Sequence, residues 1–413
     1  MQVTGSVLAA TAAAEAGRRL LSPRTPVPEP ADVPVRAYFT EEEERRGRRF
    51  ARPQLALGLA GEALQIGSLA LLALRPPRAW GARAAAPRHP LAAAAGVAAA
   101  LSTAVTLPAL PLSVLARRRR LQAGLDTQPW SGWWSDLAKA RALQAGFSAA
   151  AGVGVIASAR RWPRWWWLAV GGGSLAVGAL LAALAPVVLD PIFNDFTALP
   201  EGETRDDVLA LASAAGVSVG EVYSVDASRR TTAANAYVTG LGPTKRVVLF
   251  DTMLDRYRRD EVRLVVAHEL GHVRHRDVAR SLAFAGIVAP AVALAVRECS
   301  AALAGAASRT ALPAPAALPG LALAATLVAA PLGPISSRLS RAVERRADQF
   351  SLELAGAPEA FISFERGIAL QNLADLRPPW WVARLLATHP PTLERIGAAV
   401  AFQRRGRNGA TPD

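Results

Sequence analysis

The sequence predicts a mainly α-helical, polytopic membrane protein of about six spans, with a small α+β domain between the fourth and fifth. Two observations set this class. Residues 165–189 and 91–116 carry no charged side chain over 25 and 26 positions, and each exceeds the ~20 residues that cross a bilayer core as a helix. Residues 190–279, by contrast, mix charges with short apolar runs, the texture of a domain in water.

Taken in order, residues 1–37 are rich in Ala, Pro and Arg. They lack a charged start followed by a long apolar core, so they read as a poorly ordered lead with neither signal peptide nor N-terminal span. Residues 37–52 form a charged amphipathic helix that enters the first span, 54–74, which holds Glu62 and Gln65. A Pro- and Arg-rich loop, 75–90, precedes the second span, 91–116. A polar connection, 117–141, contains Trp130, Trp133 and Trp134. The third and fourth spans are 143–159 and 165–189.

In the following domain, residues 205–215 have helical spacing. Residues 217–225 and 246–250 read as strands, and 237–240 as another. Residues 259–276 give a helix with apolar Val262, Val265, Val266, Leu270 and Val273 on one side. Spans five and six are 281–296 and 312–335. A charged helix follows from 336, then a helical part, 358–402, interrupted at 377–379, and a polar tail from 403. The divisions are 1–53, 54–189, 190–280, 281–335, 336–402 and 403–413.

The formal charge of +14 does not indicate nucleic acid. The arginines cluster at 45–52, 117–120 and 160–164, beside the apolar runs, and no aromatic residues interleave with them for base stacking. Arginine counting puts the N-terminus, the 190–279 domain and everything after 336 on the cytoplasmic side of the cell membrane. Loops 75–90, 160–164 and 306–311 fall outside. Cys299 is the single cysteine, which excludes an intrachain disulfide and a cysteine-based metal site.

The chemistry concentrates at His268-Glu269-Leu270-Gly271-His272. Two imidazoles four residues apart on a helix share a face and can reach one zinc ion. Glu269 is then left beside the metal, free to act as a general base on water. Three of the chain's five histidines lie between 268 and 275. A catalytic site of this kind needs a third protein ligand. The helix at 340–350 offers Glu344 and Asp348, four apart on one face, with Glu344 the natural ligand and Asp348 placed to hydrogen-bond a ligand imidazole or handle a proton. Two other readings stand beside this one: a non-enzymatic transporter or scaffold with an incidental histidine pair, and a closed structural site using His275.

Several segments resemble the type I CAAX prenyl protease family of integral-membrane zinc metallopeptidases. They are Pro191-Ile192-Phe193-Asn194, Asn235-Ala236-Tyr237 followed by Arg246 to Thr252, the His268–His272 motif, Glu344-Arg345-Arg346-Ala347-Asp348, and His389-Pro390-Pro391 with Leu393-Glu394-Arg395-Ile396. The resemblance implies a zincin-like catalytic domain with one zinc ion per chain, held by His268, His272 and Glu344. It implies Glu269 as catalytic base, Asp348 as proton donor, and His389 as a group facing the cleft that stabilises the oxyanion. Asn235 and Ala236 would lie by an edge strand that holds an extended peptide or protein substrate. An intramembrane chamber is implied too. Glu62 and Gln65 should face it, because a carboxylate in lipid costs ~2.5–3.5 kcal/mol. The alternative within the same chemistry is a heat-shock-type membrane zinc protease that degrades damaged membrane proteins.

Overall fold

The computed structural model describes residues 2–76, 88–240, 245–304 and 312–408. The chain is mainly helical, and six of its helical segments are long and apolar enough to cross a membrane: Glu41–Leu74, Pro90–Gln122, Trp130–Arg161, Trp166–Val188, Asp277–Leu303 and Pro315–Ala355. Each contains or coincides with one of the six expected apolar runs.

The N-terminus departs from expectation. Residues Gln2–Leu21 form a helix, α1, that lies along the span Asp277–Leu303. Ser6, Ala10, Ala14 and Gly17 are its buried stripe. Ala10 packs with Ala295, Cys299, Ala324 and Val328, and a Cβ at Gly17 would lie 3.2 Å from Phe284 Cδ2. Small side chains let two helices approach closely, and dispersion then holds them together. The same small residues, with Glu15, Arg18 and Arg19, keep α1 from standing out as an apolar run. Arg280 caps its end by donating to the Leu21 carbonyl. The lead beyond α1 is also tied down: Ala31 N donates to Gly397 O at 3.0 Å.

Helix α2, Glu41–Leu74, starts with a capping box at Thr40 and Glu43 and runs unbroken through Pro53 into the first span. Helices α3, Pro90–Thr106, and α4, Leu110–Gln122, form the second span around a short 3-10 turn. Helix α5 is Trp130–Arg161 and α6 is Trp166–Val188. The expected polar connection at 117–141 shrinks to residues 123–129, because helix continues into it from both ends. Arg117 explains the turn: it bonds Asp126 at 3.0 Å and Gln128 O at 2.5 Å. Most of the expected loop at 75–90, and all of that at 306–311, lie outside the described residues.

The α+β part holds a four-stranded sheet in the order β1-β2-β4-β3, with β1 Phe196–Ala198, β2 Glu221–Val225, β3 Ala236–Thr239 and β4 Arg246–Phe250. β2 and β4 run parallel, and β1 and β3 pair antiparallel at the two edges. β1 is too short to show alternation in the sequence. β2 begins at Glu221 rather than 217, because Gly216 adopts φ +66° to end α7 (Glu203–Ala214) and a loop intervenes. Val222, Val247 and Leu249 of the sheet pack with Val208 and Leu211 of α7. The same core takes Val262, Val266 and Leu270 of α9, Arg259–Arg274, which follows the short α8, Asp251–Arg256.

Helix α10 is Asp277–Leu303 and α11 is Leu318–Ala329. Helix α12, Gly333–Ala355, continues from α11 through a 3-10 turn, so span and charged helix form one unit. Helix α13 is Pro358–Gln371, a π-helical turn spans Val382–Leu386, and α14 is Thr392–Asn408. The polar tail expected from 403 is therefore helical through Asn408, and 409–413 lie outside the described residues.

A Cβ at Gly397 would collide with the carbonyl oxygen of Ala31. Replacing Gly397 with Ala should detach the 23–34 segment and cost about 1–3 kcal/mol, as overpacking does. A lower thermal midpoint in detergent, with faster proteolysis between residues 22 and 34, is the expected result.

Candidate active site

The site is built where α9 crosses α12. Gly271 permits the crossing: a Cβ there would stand 3.0 Å from Phe350 Cδ1. Leu264, Val266, Ala267 and Leu270 bury the other faces of α9, which leaves His268 and His272 facing α12.

Their Nε2 atoms lie 3.1 Å apart. Glu344 Oε2 is 3.3 Å from His268 Nε2, and Glu344 Oε1 is 3.7 Å from His272 Nε2. One ligand atom from each residue can be chosen so that all fall within 4.8 Å of one another. Donors held 2.0–2.1 Å from a shared tetrahedral centre stand about 3.3 Å apart, close to these separations. Glu344 Oε2 is buried without a hydrogen-bond partner, a costly state for a carboxylate unless a cation completes it. The donor set of two imidazoles and one carboxylate suits a divalent metal such as zinc.

Each imidazole is oriented from behind. His268 Nδ1 lies 2.9 Å from Asp348 Oδ1, close but out of hydrogen-bond alignment, and His272 Nδ1 lies 3.0 Å from Asp277 Oδ2 in a hydrogen bond. A carboxylate at Nδ1 fixes the tautomer that leaves Nε2 as a lone pair. Asp277 reaches its place through a tight turn at Arg276, whose φ of +55° is in the left-handed region.

The carboxylates are themselves held. Arg346 of α12 and Arg280 of α10 both donate to Asp277 Oδ1. Arg395 of α14 donates to both oxygens of Asp348, at 2.9 Å and 2.6 Å. Arg395 Nη1 also lies 2.6 Å from Glu365 Oε1 without hydrogen-bond alignment. Burial pushes the Glu365 carboxyl up to about 7, and Arg395 pulls it the other way.

The structure brings six of the eight expected site residues to this point. Glu269 follows His268 on α9, and burial raises its carboxyl above the ordinary range while the two imidazoles oppose the rise. His389, in the loop before α14, places Nε2 3.4 Å from Glu344 Oε2 and is 63% exposed. Its Nδ1 is 3.0 Å from Thr388 Oγ1. Asp348 sits behind His268 with both oxygens engaged, the arrangement of a group that positions the imidazole.

Asn235 and Ala236 lie on and beside β3, at the sheet's open edge, and β3 packs against α9. Phe250 N donates to Asn235 O at 3.0 Å, and Ala236 pairs with Leu249. Alternation along an antiparallel ladder then turns the N–H and C=O of Ala236 and Val238 away from β4.

Asp277 and Glu365 escaped the sequence reading, and Arg346 and Arg395 entered it only as letters of motifs. Asp277 lies five residues after His272, a spacing that marks no helical face. Of the two polar residues expected at a chamber, Gln65 lines an apolar cavity of about 690 Å³ among the spans, with Ser102, Trp166 and Ser174. Glu62, one turn earlier on α2, is exposed and does not line it.

The pattern of peptidase family M48 matches residues 198–402. The chain is 30% identical over 303 residues to an uncharacterized metalloprotease, YhfN, of Bacillus subtilis, covering 72% of this chain and 70% of that one. It is 38% identical over 109 residues to CAAX prenyl protease 1 of Saccharomyces cerevisiae, 26% of this chain and 24% of the yeast protein. The crystal structure of S. mikatae Ste24p superposes with a TM-score of 0.77 at 20% identity, covering 96% of this chain and 98% of that one, which shows the shared fold.

Asp277→Asn should keep the fold yet weaken metal binding about 10–100-fold, the usual penalty for losing a carboxylate behind a ligand imidazole. Competition with a chelator measures this. Unchanged affinity would show that His272 needs no carboxylate to aim it.

Proposed function

The chain belongs to peptidase family M48 and is a multi-pass membrane metallopeptidase, and from that premise we propose that it is a zinc endopeptidase cutting extended segments of membrane-associated substrates. The observation that carries the reading is the convergence of His268 Nε2, His272 Nε2 and the buried Glu344 carboxylate from two helices. His268, His272 and Glu344 would hold the ion. When bound, zinc would polarise the scissile carbonyl and lower the pKa of a water molecule to about 7.

The chain's own residues supply the rest. Glu269 accepts the proton of the attacking water and passes it to the departing amine. Its raised carboxyl suits a group that must take up a proton and give it away. His389, the most exposed group at the site, donates to the oxyanion as the carbonyl becomes tetrahedral. Asp348 keeps His268 aimed, and Arg395 keeps Asp348 ionised and in place. Of the two roles open to Asp348, positioning has the stronger support, because no oxygen is left free to face a substrate.

Strand β3 provides the binding surface. A substrate strand added beside it would pair with the outward N–H and C=O groups of Ala236 and Val238, with Asn235 at one end. Backbone pairing tolerates varied side chains. The names of the yeast relative and others of its kind favour prenylated CAAX-type substrates. The distribution of arginines beside the spans favours a catalytic domain on the cytoplasmic side.

Two substitutions separate ligand from base. Glu269→Gln should retain stoichiometric zinc while turnover of a peptide substrate falls by about 10²–10⁴-fold. Glu344→Ala should lose the metal. Metal analysis of purified protein, paired with a cleavage assay, reads both, and full activity in Glu269→Gln would sink the mechanism.

A further inference from the structure

A second concave site lies away from the metal cluster. Arg18 of α1, Arg338, Arg341 and Arg345 of α12, and Arg384 of the π-helical turn converge on a cavity of about 510 Å³. Pro391 and Glu394 complete its wall on the side of α14.

The charges there do not cancel. Glu15 pairs with Arg18 at 2.5 Å and with Arg338 at 3.4 Å, and Glu394 pairs with Arg345 at 2.5 Å. Arg341 spends its guanidinium on the neutral carbonyls of Ala387 and Arg384. Among the described residues, Arg384 has no carboxylate within ion-pair distance. Five guanidinium groups thus line the cavity with one carboxylate, Glu394, while Glu15 pairs with Arg18 and Arg338 from outside the lining, and a concave wall of predominantly one sign focuses its field on an anion.

The position within the fold selects the anion. Arg18 stands near the end of α1, and Arg338 stands just past the apolar run that α11 carries into α12. Both mark the level at which apolar helix gives way to charge. Trp380, Leu385 and Leu386, around the same π-helical turn as Arg384, are exposed. An indole and two leucines beside a guanidinium suit the boundary between headgroups and acyl chains. Guanidinium forks bind phosphate oxygens in pairs.

We propose that this cavity binds the phosphodiester headgroup of an anionic glycerophospholipid, with the acyl chains lying toward Trp380, Leu385 and Leu386. Basic pockets between membrane helices bind such headgroups. The bound lipid braces the segment that leads to His389. Arg341 ties two of that segment's carbonyls to α12, and His389 follows two residues after Ala387.

The test uses the full chain in detergent, equilibrated with equal amounts of phosphatidylglycerol and phosphatidylcholine, with retained lipid counted by native mass spectrometry. Wild type should hold one phosphatidylglycerol in clear preference. Arg338→Gln with Arg384→Gln should lose that preference by roughly tenfold, and exposed Arg384→Gln alone should weaken it without touching the fold. Arg118→Gln with Arg119→Gln, at a different interfacial cluster, should leave it intact. Equal retention by wild type and the 338/384 variant overturns the proposal. So does displacement by inorganic phosphate at matched concentration, which would make the ligand a soluble anion. A 338/384 variant with normal lipid retention but weaker cleavage of peptides with a free C-terminal carboxylate, relative to amidated ones, also overturns it.

Discussion

The architecture turns on holding two imidazoles with their Nε2 lone pairs aimed at one point. Nothing in an isolated helix does this, since each ring can rotate and each nitrogen can carry the proton. Asp348 and Asp277 settle both matters from behind, at 2.9 Å and 3.0 Å. Those buried carboxylates in turn require Arg395 and Arg346. Removing one member of a buried ion pair strands the other, at a cost of about 3–5 kcal/mol. The network therefore behaves as a unit, and it draws α9, α10, α12, α13 and α14 to the same place. Helix α12 is the hub, because Glu344, Arg346 and Asp348 serve the metal position, one ligand's support and the other's from a single turn.

The spans and the metal motif were legible because each rests on a local regularity. An uncharged run longer than a bilayer is wide needs no partner to be recognised. Two histidines at helical spacing need only the helix, and its amphipathic pattern is plain from Val262 to Val273. Glu344 was legible for the same reason, as one of a four-spaced acidic pair. What escaped detection depends on partners distant in sequence. The small-residue stripe of α1 has meaning only against Phe284 and Ala295. The function of Asp277 follows from a left-handed residue at 276 that no hydropathy pattern reveals. Glu365 is an ordinary helical acid until folding places Arg395 beside it.

Connections were harder to place than elements. Residues 117–141 carry four arginines at their start and a cluster of tryptophans, which reads as loop. In the fold, Arg117 lies 5.3 Å from the Trp130 ring and 5.5 Å from that of Trp133, and it also binds Asp126 and the Gln128 carbonyl. One buried guanidinium thus organises a short turn and frees the flanking residues to be helical. Charge density says nothing about whether the backbone there is helical.

The continuity of α11 and α12 bears on how such a site meets its substrate. A helix rises 1.5 Å per residue, so Glu344 stands about 13 Å beyond Ile335, where the apolar run ends. Because α12 is one helix, buried along Ile335, Leu339, Ala347 and Leu352, this distance is fixed rather than adjustable. On the proposed reading Glu344 therefore lies within about 13 Å of the end of the apolar run, with the open edge of β3 packed against the same α9 that bears the histidines. A chain anchored in the bilayer would reach β3 after only a few extended residues, at about 3.3 Å each. The proposed preference for membrane-associated substrates thus rests on the nearness of Glu344 to the apolar run as much as on the chemistry of the site. A soluble peptide would have to be drawn to the boundary before it could pair with the strand.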